Sequence, residues 1–263
     1  MSQSLQGKRI LITRPAHQSA GWQQVLAAEG AISHSIPLLA IVPITADSDP
    51  EGAQAIKNRI LDFDQYDHAI FVSINAVQYG FDWLDDYWPQ LPQGPRYYAI
   101  GAATARAIQD RGAEPWADSE HNTMDSEALL ALPSLQQSAD QRVIIFRGRG
   151  GRTLMGDTLR QRGARVDYCE LYQRQLPTEA ETALRDYNQS VDAITVHSGE
   201  TLDNLHHCLQ ATKREDLRAL PLICPSARVA TRAHDLGFAR AEAAINAGDS
   251  AMLAALREAL AAG

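Results

Sequence analysis

Lys8-Arg9-Ile10-Leu11-Ile12-Thr13-Arg14 returns later in the chain as Gln141-Arg142-Val143-Ile144-Ile145-Phe146-Arg147, and the same spacing carries Glu29-Gly30-Ala31 onto Arg162-Gly163-Ala164. A second pair of segments, Tyr66-Asp67-His68-Ala69-Ile70-Phe71-Val72-Ser73 and Val191-Asp192-Ala193-Ile194-Thr195-Val196-His197-Ser198, keeps its Asp and its Ser in register. Met124-Asp125-Ser126-Glu127-Ala128-Leu129-Leu130 is echoed by Gly248-Asp249-Ser250-Ala251-Met252-Leu253-Ala254. Short-period repeats mark solenoids. A period this long marks two similar domains of ordinary size. Most repeated runs are short apolar strands that lead, through a turn, into a helical pattern closing at a Gly.

Working outward, the first half predicts strands at Arg9–Thr13, Ala31–Leu39 (broken by Pro37), Ala69–Val72 and Tyr97–Ile100. Helices are expected around Trp22 to Leu26, from Asn75 through Leu84, and at Thr104–Asp110. The second half predicts strands Val143–Phe146, Val166–Tyr172, Ala193–Val196 and Leu222–Cys224, with helices Thr153–Arg162, Thr178–Tyr187, Thr201–Leu209 and Ala227–Leu236. Asp125 and Asp249 stand where they would cap helices Ser126–Leu132 and Ser250–Leu260. Strands alternating with helices imply an α/β fold of parallel sheets with helices on both faces.

The composition, 45% hydrophobic and 21% charged over 263 residues, is that of a soluble globular protein. Nothing approaches the ~18 uninterrupted apolar residues of a membrane span, and the opening residues hold no apolar signal core. A cytoplasmic protein without a membrane partner is the expectation. A net charge of −8 speaks against a nucleic-acid footprint, yet leaves room for a local anion site. Of 24 basic residues only Lys8, Lys57 and Lys213 are lysines, and arginine is the better fork for carboxylate or phosphate. Cys169, Cys208 and Cys224 follow no metal spacing and read as plain thiols. His17, His34, His68, His121, His197, His206, His207 and His234 form no metal constellation, and Asp82, Asp85 and Asp86 read as a solvated helix face.

In parallel α/β sheets ligands bind beyond the carboxyl ends of the strands, so those positions carry the candidates. Thr13-Arg14-Pro15 follows the first strand, and Arg147-Gly148-Arg149-Gly150-Gly151-Arg152 follows its echo. The glycines let the backbone approach a ligand, and the helix that follows offers free N–H groups to an anion. The run lacks the third glycine of a dinucleotide fingerprint and the Gly-Lys-Ser/Thr of a P-loop; on its residues alone a flexible turn with solvated arginines weighs evenly with an anion site. Ser73-Ile74-Asn75 and Ser198-Gly199-Glu200-Thr201 put hydroxyls at strand ends, as helix caps, ligand holders, or both. Gly101-Ala102-Ala103-Thr104 and Pro225-Ser226-Ala227-Arg228 leave two further helix starts open. Tyr172 either packs or donates a hydrogen bond or proton.

Together these segments resemble the uroporphyrinogen-III synthases. The resemblance runs from Thr13-Arg14-Pro15 through Phe71-Val72-Ser73-Ile74-Asn75-Ala76-Val77, Ala99-Ile100-Gly101-Ala102-Ala103-Thr104-Ala105, Ser126-Glu127-Ala128-Leu129-Leu130, Arg147-Gly148 and Arg162-Gly163-Ala164 to Leu171-Tyr172-Gln173-Arg174. It implies two similar α/β domains joined by a two-stranded linker, with the active site in the interdomain cleft. It also implies that the chain crosses twice, in place of the contiguous halves the repeat alone suggests. Residues 1–38 with 173–263 would form one domain, 44–167 the other, and 39–43 and 168–172 the linker strands.

The implied activity is that of a lyase of tetrapyrrole (haem, sirohaem, cobalamin) biosynthesis. Hydroxymethylbilane, with an acetate and a propionate on each ring, loses its terminal hydroxyl to give an azafulvene. Attack by the substituted position of the last ring gives a spiro intermediate, and fragmentation and reclosure invert that ring to uroporphyrinogen III. No cofactor or metal is expected, and the partner is the small-molecule substrate of a monomer. Tyr172 is the candidate for assisting hydroxyl departure. Thr13, Arg14, Ser73, Asn75, Gly101, Thr104, Arg147, Gly148, Gly150, Ser198 and Ser226 are the candidates for holding carboxylates. The chain departs from the family pattern at Val72, at His197 and at Pro225. The alternatives from other classes are a non-catalytic two-domain protein that closes on a small anion, and a sugar-phosphate enzyme built on Arg147–Arg152.

Overall fold

A computed structural model describes residues 4–116 and 125–261; His121 and Met124 lie outside the described residues. In chain order the elements are β1 (Arg9–Ile12), α1 (Ala16–Ala28), β2 (Ile32–Ser35), β3 (Ala40–Pro43), α2 (Pro50–Leu61), β4 (His68–Phe71), α3 (Ile74–Tyr87), β5 (Arg96–Ala99) and α4 (Ala102–Asp110). After residue 124 come α5 (Ser126–Leu130), α6 (Pro133–Gln136), β6 (Arg142–Gly148), α7 (Leu154–Gln161), β7 (Arg165–Gln175), α8 (Ala180–Asp186), β8 (Ala193–Thr195), α9 (Gly199–Thr212), β9 (Pro221–Cys224), α10 (Ala227–Asp235), β10 (Arg240–Ala243) and α11 (Asp249–Ala261). The chain divides into two compact units, Met1–Ile41 with Gln175–Gly263, and Val42–Arg174.

The first unit holds the sheet β10-β9-β8-β1-β2, every neighbouring pair parallel. Its inner strands β1, β8 and β9 are buried on both faces, as strands covered on both sides require, while the edge strands β2 and β10 are largely polar and exposed. Ile10 and Ile12 of β1, Ala193 of β8 and Ile223 of β9 pack with Trp22, Leu26, Met252 and Leu256. Their alternates Leu11, Ile194, Leu222 and Cys224 pack with Leu202, Leu205, Leu209 and Val229. The second unit carries β3-β7-β6-β4-β5, in which β7, β6, β4 and β5 run parallel. One face sets Ile70, Tyr98, Val143 and Ile145 against Leu129, Leu135, Met155 and Leu159. On the other the Phe71 and Phe146 rings stack 4.5 Å apart beside Phe63 and Phe81.

The first sheet runs outward in chain order from a central pair, β1 and β8; the second does so from β4 and β6, except that the early strand β3 lies at its edge beside β7. Ligand crevices form at such switch points, beyond the carboxyl ends of the two strands. The residues placed there are Thr13-Arg14 with His197-Ser198 in the first unit, and Ser73 with Arg147 to Gly151 in the second.

The structure corrects several expectations. The helix read as Ser126–Leu132 stops at Leu130, because Pro133 cannot continue it and instead opens α6. Asp125 does cap α5, accepting from Glu127 N and Ala128 N at 3.0 and 2.8 Å. Asp249 is the first residue of α11, and its carboxylate pairs with Arg14 at 2.9 Å. Strand β10 lies outside the sequence expectation, since Arg240-Ala241-Glu242-Ala243 has no β-branched residue and only Ala241 is buried, in the cluster with Ala233 and Phe238. Cys169, Cys208 and Cys224 are buried free thiols.

Candidate active site

Tyr172 is the focus of the second unit. Strand β7 pairs with β6 in register up to Arg147 opposite Glu170, then shifts so that Gly148 stands opposite Tyr172 rather than Leu171. Irregularities of this kind re-aim a side chain. The Tyr172 hydroxyl comes to 3.0 Å from Ser73 Oγ, and its ring lies 5.7 Å from that of Tyr79. Ser73 does two jobs: it caps α3, accepting from Ala76 N at 3.1 Å, and it holds Tyr172. Gly148 is required by the close approach of that ring, since a Cβ there would lie 2.5 Å from Tyr172 Cε2.

Arg147 is 5% exposed. Its Nε donates to Gly148 O at 3.2 Å and its Nη1 to Arg152 O at 3.1 Å, which folds the glycine turn around the guanidinium. Gly151 is needed for that fold, because a Cβ there would overlap the guanidinium. The nearest carboxylate, Glu170, stands 4.0 Å away and is shared with Arg149 at 3.8 Å. The guanidinium carbon lies 4.6 Å over the Tyr168 ring. The turn is held from outside by Arg149, whose Nη2 donates to Asp49 Oδ2 at 2.5 Å and whose N–H donates to Tyr172 O at 2.7 Å. The Gly52 N–H and Arg149 hold the Asp49 carboxyl below its ordinary range. Gly150 takes φ +72°, a left-handed turn that glycine adopts without strain.

A cavity of about 540 Å³ opens beside this group, with Arg147, Gly148, Tyr168 and Tyr172 in its lining. Gly101, φ +84°, precedes α4 with open space where a Cβ would stand, while Thr104 is buried in the first turn of that helix. Asn75 is half-buried at the start of α3.

In the first unit the candidates divide. Ser198 caps α9, accepting from Thr201 N at 3.0 Å. Ser226 occupies the equivalent place before α10 without a side-chain capping bond. Arg14 pairs with Asp249 and reaches Ala247 O at 3.4 Å. Thr13 is wholly buried and its hydroxyl donates to Thr195 O at 2.8 Å, so that group is already spent within the sheet. His197 sits edge-on to Trp22 at 5.9 Å, and neither buried ring nitrogen has a partner among the described residues. Burial, reinforced by Arg14, pushes its pKa down to about 3.

Sequence reasoning missed Tyr168, Glu170 and Asp49. The first two were within reach: residues 168 and 170 alternate along a strand with buried Cys169 and Leu171, which puts them on one face. Asp49 joins the site only through the fold. Among the described residues no cluster of His, Cys, Asp and Glu has the makings of a metal site.

The family model described as "Uroporphyrinogen-III synthase HemD" matches residues 20–254. The chain is 35% identical over 252 residues to the uroporphyrinogen-III synthase of Salmonella typhimurium, covering 94% of this chain and 99% of that one. It is 34% identical over 254 residues to the Escherichia coli K12 protein of the same name, with the same coverage. Its fold matches a mutant uroporphyrinogen III synthase from Thermus thermophilus with a TM-score of 0.64 over 98% of this chain and 100% of that one, at 16% identity. The Helicobacter pylori synthetase matches with a TM-score of 0.57 over 94% and 97%, at 14% identity. The chain therefore belongs to the uroporphyrinogen-III synthase family.

Proposed function

We propose that this protein closes hydroxymethylbilane to uroporphyrinogen III, and that Tyr172 is the group that assists departure of the terminal hydroxyl. Family membership supports the reaction; it gives no support to the non-catalytic anion binder. The observation that carries the role of Tyr172 is its hydroxyl, 3.0 Å from Ser73 Oγ at the switch point of the second sheet and beside the cavity. Ser73 Oγ, which accepts from Ala76 N, can donate its own proton to the Tyr172 oxygen, leaving the single phenol O–H free to be donated when a leaving hydroxyl arrives. The C–O bond then breaks with transfer of the phenol proton, and water leaves. The positively charged azafulvene returns a proton to the phenolate as the ring closes.

The reacting carbons all belong to the substrate, so the protein has no nucleophile to supply. Its task is to hold one folded geometry against simple end-to-end closure, an effect that can reach ~7–11 kcal/mol. Arg147, the N–H groups of the glycine turn and the starts of α3 and α4 suit carboxylates. Ser198, Ser226 and Arg14 are proposed for further carboxylates. Thr13 serves indirectly, by fixing the strand end that carries Arg14. We further propose a cytoplasmic monomer that works without nucleic acid, membrane or cofactor; no described helix is long and apolar enough to cross a membrane. The test is product analysis. Hydroxymethylbilane incubated with the protein should give the III isomer on chromatography, where the uncatalysed reaction gives the I isomer. Production of the I isomer alone would overturn the reading.

A further inference from the structure

We infer that the cavity of the second unit is a self-contained subsite for one pyrrole ring of the substrate, with one of its acidic arms on Arg147. The identity of the ligand rests on the proposed activity; the chemistry of the cavity is read from its walls. Its volume, about 540 Å³, lies within the ~300–1,000 Å³ of small-molecule sites. Its floor is apolar: Val72, Ile100, Ile145 and Met155, with the Tyr168 ring as one wall. Leu154, 64% exposed at the start of α7, extends the apolar surface to the mouth. A flat ring fits such walls. The charges of the lining are three arginines, Arg147, Arg152 and Arg174, against Glu127.

Arg147 is what makes the cavity selective. A guanidinium is always charged, and a buried charge is costly unless paired. Here it is 5% exposed, it has hydrogen bonds to two main-chain carbonyls, and its nearest carboxylate is 4.0 Å off and engaged with Arg149 as well. It is a buried cation with its counter-charge at the limit of contact, lining a cavity of ligand size. An acetate or propionate arm reaching it would complete the pair as a charge-assisted bond, while the ring lies against Val72, Ile100 and Met155. The subsite would thus take a pyrrole diacid by itself, without the rest of the tetrapyrrole.

The test is binding of a single pyrrole carrying one acetate and one propionate arm, by calorimetry and by NMR shifts, to the wild-type protein. Its dimethyl ester and free acetate serve as controls. The diacid should bind, the ester should bind more weakly, and acetate at equal concentration should not displace the diacid. Arg147→Met should weaken the diacid about 10- to 100-fold, the loss of a charged hydrogen bond, and leave the ester unchanged. Because Arg147 is buried, its loss could also hinder folding, so Leu154→Asp provides a second arm. That exposed position at a helix start tolerates an acid, and a repelling charge at the mouth should weaken the diacid about two- to fivefold. Absence of diacid binding, equal affinity in wild type and both variants, or full displacement by acetate would overturn the inference. Product analysis on the same wild-type sample separates the two readings: III-isomer formation without diacid binding removes the subsite and keeps the activity, and the reverse pattern keeps the subsite and removes the activity.

Discussion

Gly148→Ala should damage both folding and turnover, through one ring. A methyl on residue 148 would lie 2.5, 2.9 and 3.0 Å from Tyr172 Cε2, Cζ and Cδ2. Carbon atoms in comfortable contact sit about 3.5–4.0 Å apart, so the ring has to retreat by about 1 Å. It has little room: Tyr172 is 5% exposed, its hydroxyl is engaged by Ser73, and Tyr79 lies against it. Overpacking of this kind costs about 1–3 kcal/mol, and loss of the hydroxyl pair adds about 0.5–1.5 kcal/mol. A misplacement of about 1 Å at a reacting group can cost about 10²-fold in rate. Urea denaturation and initial rates of III-isomer formation measure the two effects. Because both pass through the same hydroxyl, Gly148→Ala combined with Tyr172→Phe should be no slower than the slower single variant. Wild-type stability and turnover in Gly148→Ala, or rate losses that multiply in the double variant, would refute the reasoning.

Tyr172→Phe alone should lower kcat more than it weakens product binding, towards the low end of the ~10²–10⁴-fold associated with general acids; an unchanged kcat in a folded variant removes the acid role. Ser73→Ala removes the α3 cap as well as the Tyr172 partner, so it should lose about 0.5–2 kcal/mol in urea denaturation from the cap and share its rate loss with Tyr172→Phe. His197 has a folded pKa near 3 against an ordinary 6.5, so the unfolded chain binds its proton first. Its stability contribution is whole above pH 6.5 and declines as pH falls from there towards 3, by at most about 5 kcal/mol. His197→Phe should flatten the measured stability between pH 6.5 and 4, and an unchanged slope would count against burial as the cause. Burial pushes the Cys169, Cys208 and Cys224 thiols up to about 12, 11 and 12, so a disulfide reagent at pH 8 should label none of them until denaturant is added; rapid native labelling would contradict that packing.

The strands legible in the sequence were those whose own residues carry the signal. Ile10-Leu11-Ile12 and Val143-Ile144-Ile145-Phe146 are apolar on both faces, as parallel strands must be, and the Gly after α1 and after α7 marks each helix end. What stayed hidden depends on neighbours. Arg240-Ala241-Glu242-Ala243 is a strand only because β9 pairs with it. The strand-end positions could be picked out as site candidates, but their division of labour could not: Thr13 and Ser73 look alike in sequence, yet one hydroxyl is spent on Thr195 O and the other turns to Tyr172. The β6–β7 register shift that places Tyr172 leaves no trace in composition, because it is a relation between two strands.

The division of the chain also orders its birth. Val42–Arg174 is continuous, whereas the other unit needs Met1–Ile41 and Gln175–Gly263 together. On a ribosome the continuous unit is finished first. Strand β1 meanwhile lacks β8, its neighbour in the sheet, until Thr195 has been made. At ~5–20 residues per second that wait lasts about 9–37 s. For that interval Ile10, Leu11 and Ile12 have only β2 and α1 to cover them. The nascent chain therefore carries an apolar segment on which a chaperone can act, and a chain released just after residue 174 holds every strand of one sheet but only β1 and β2 of the other.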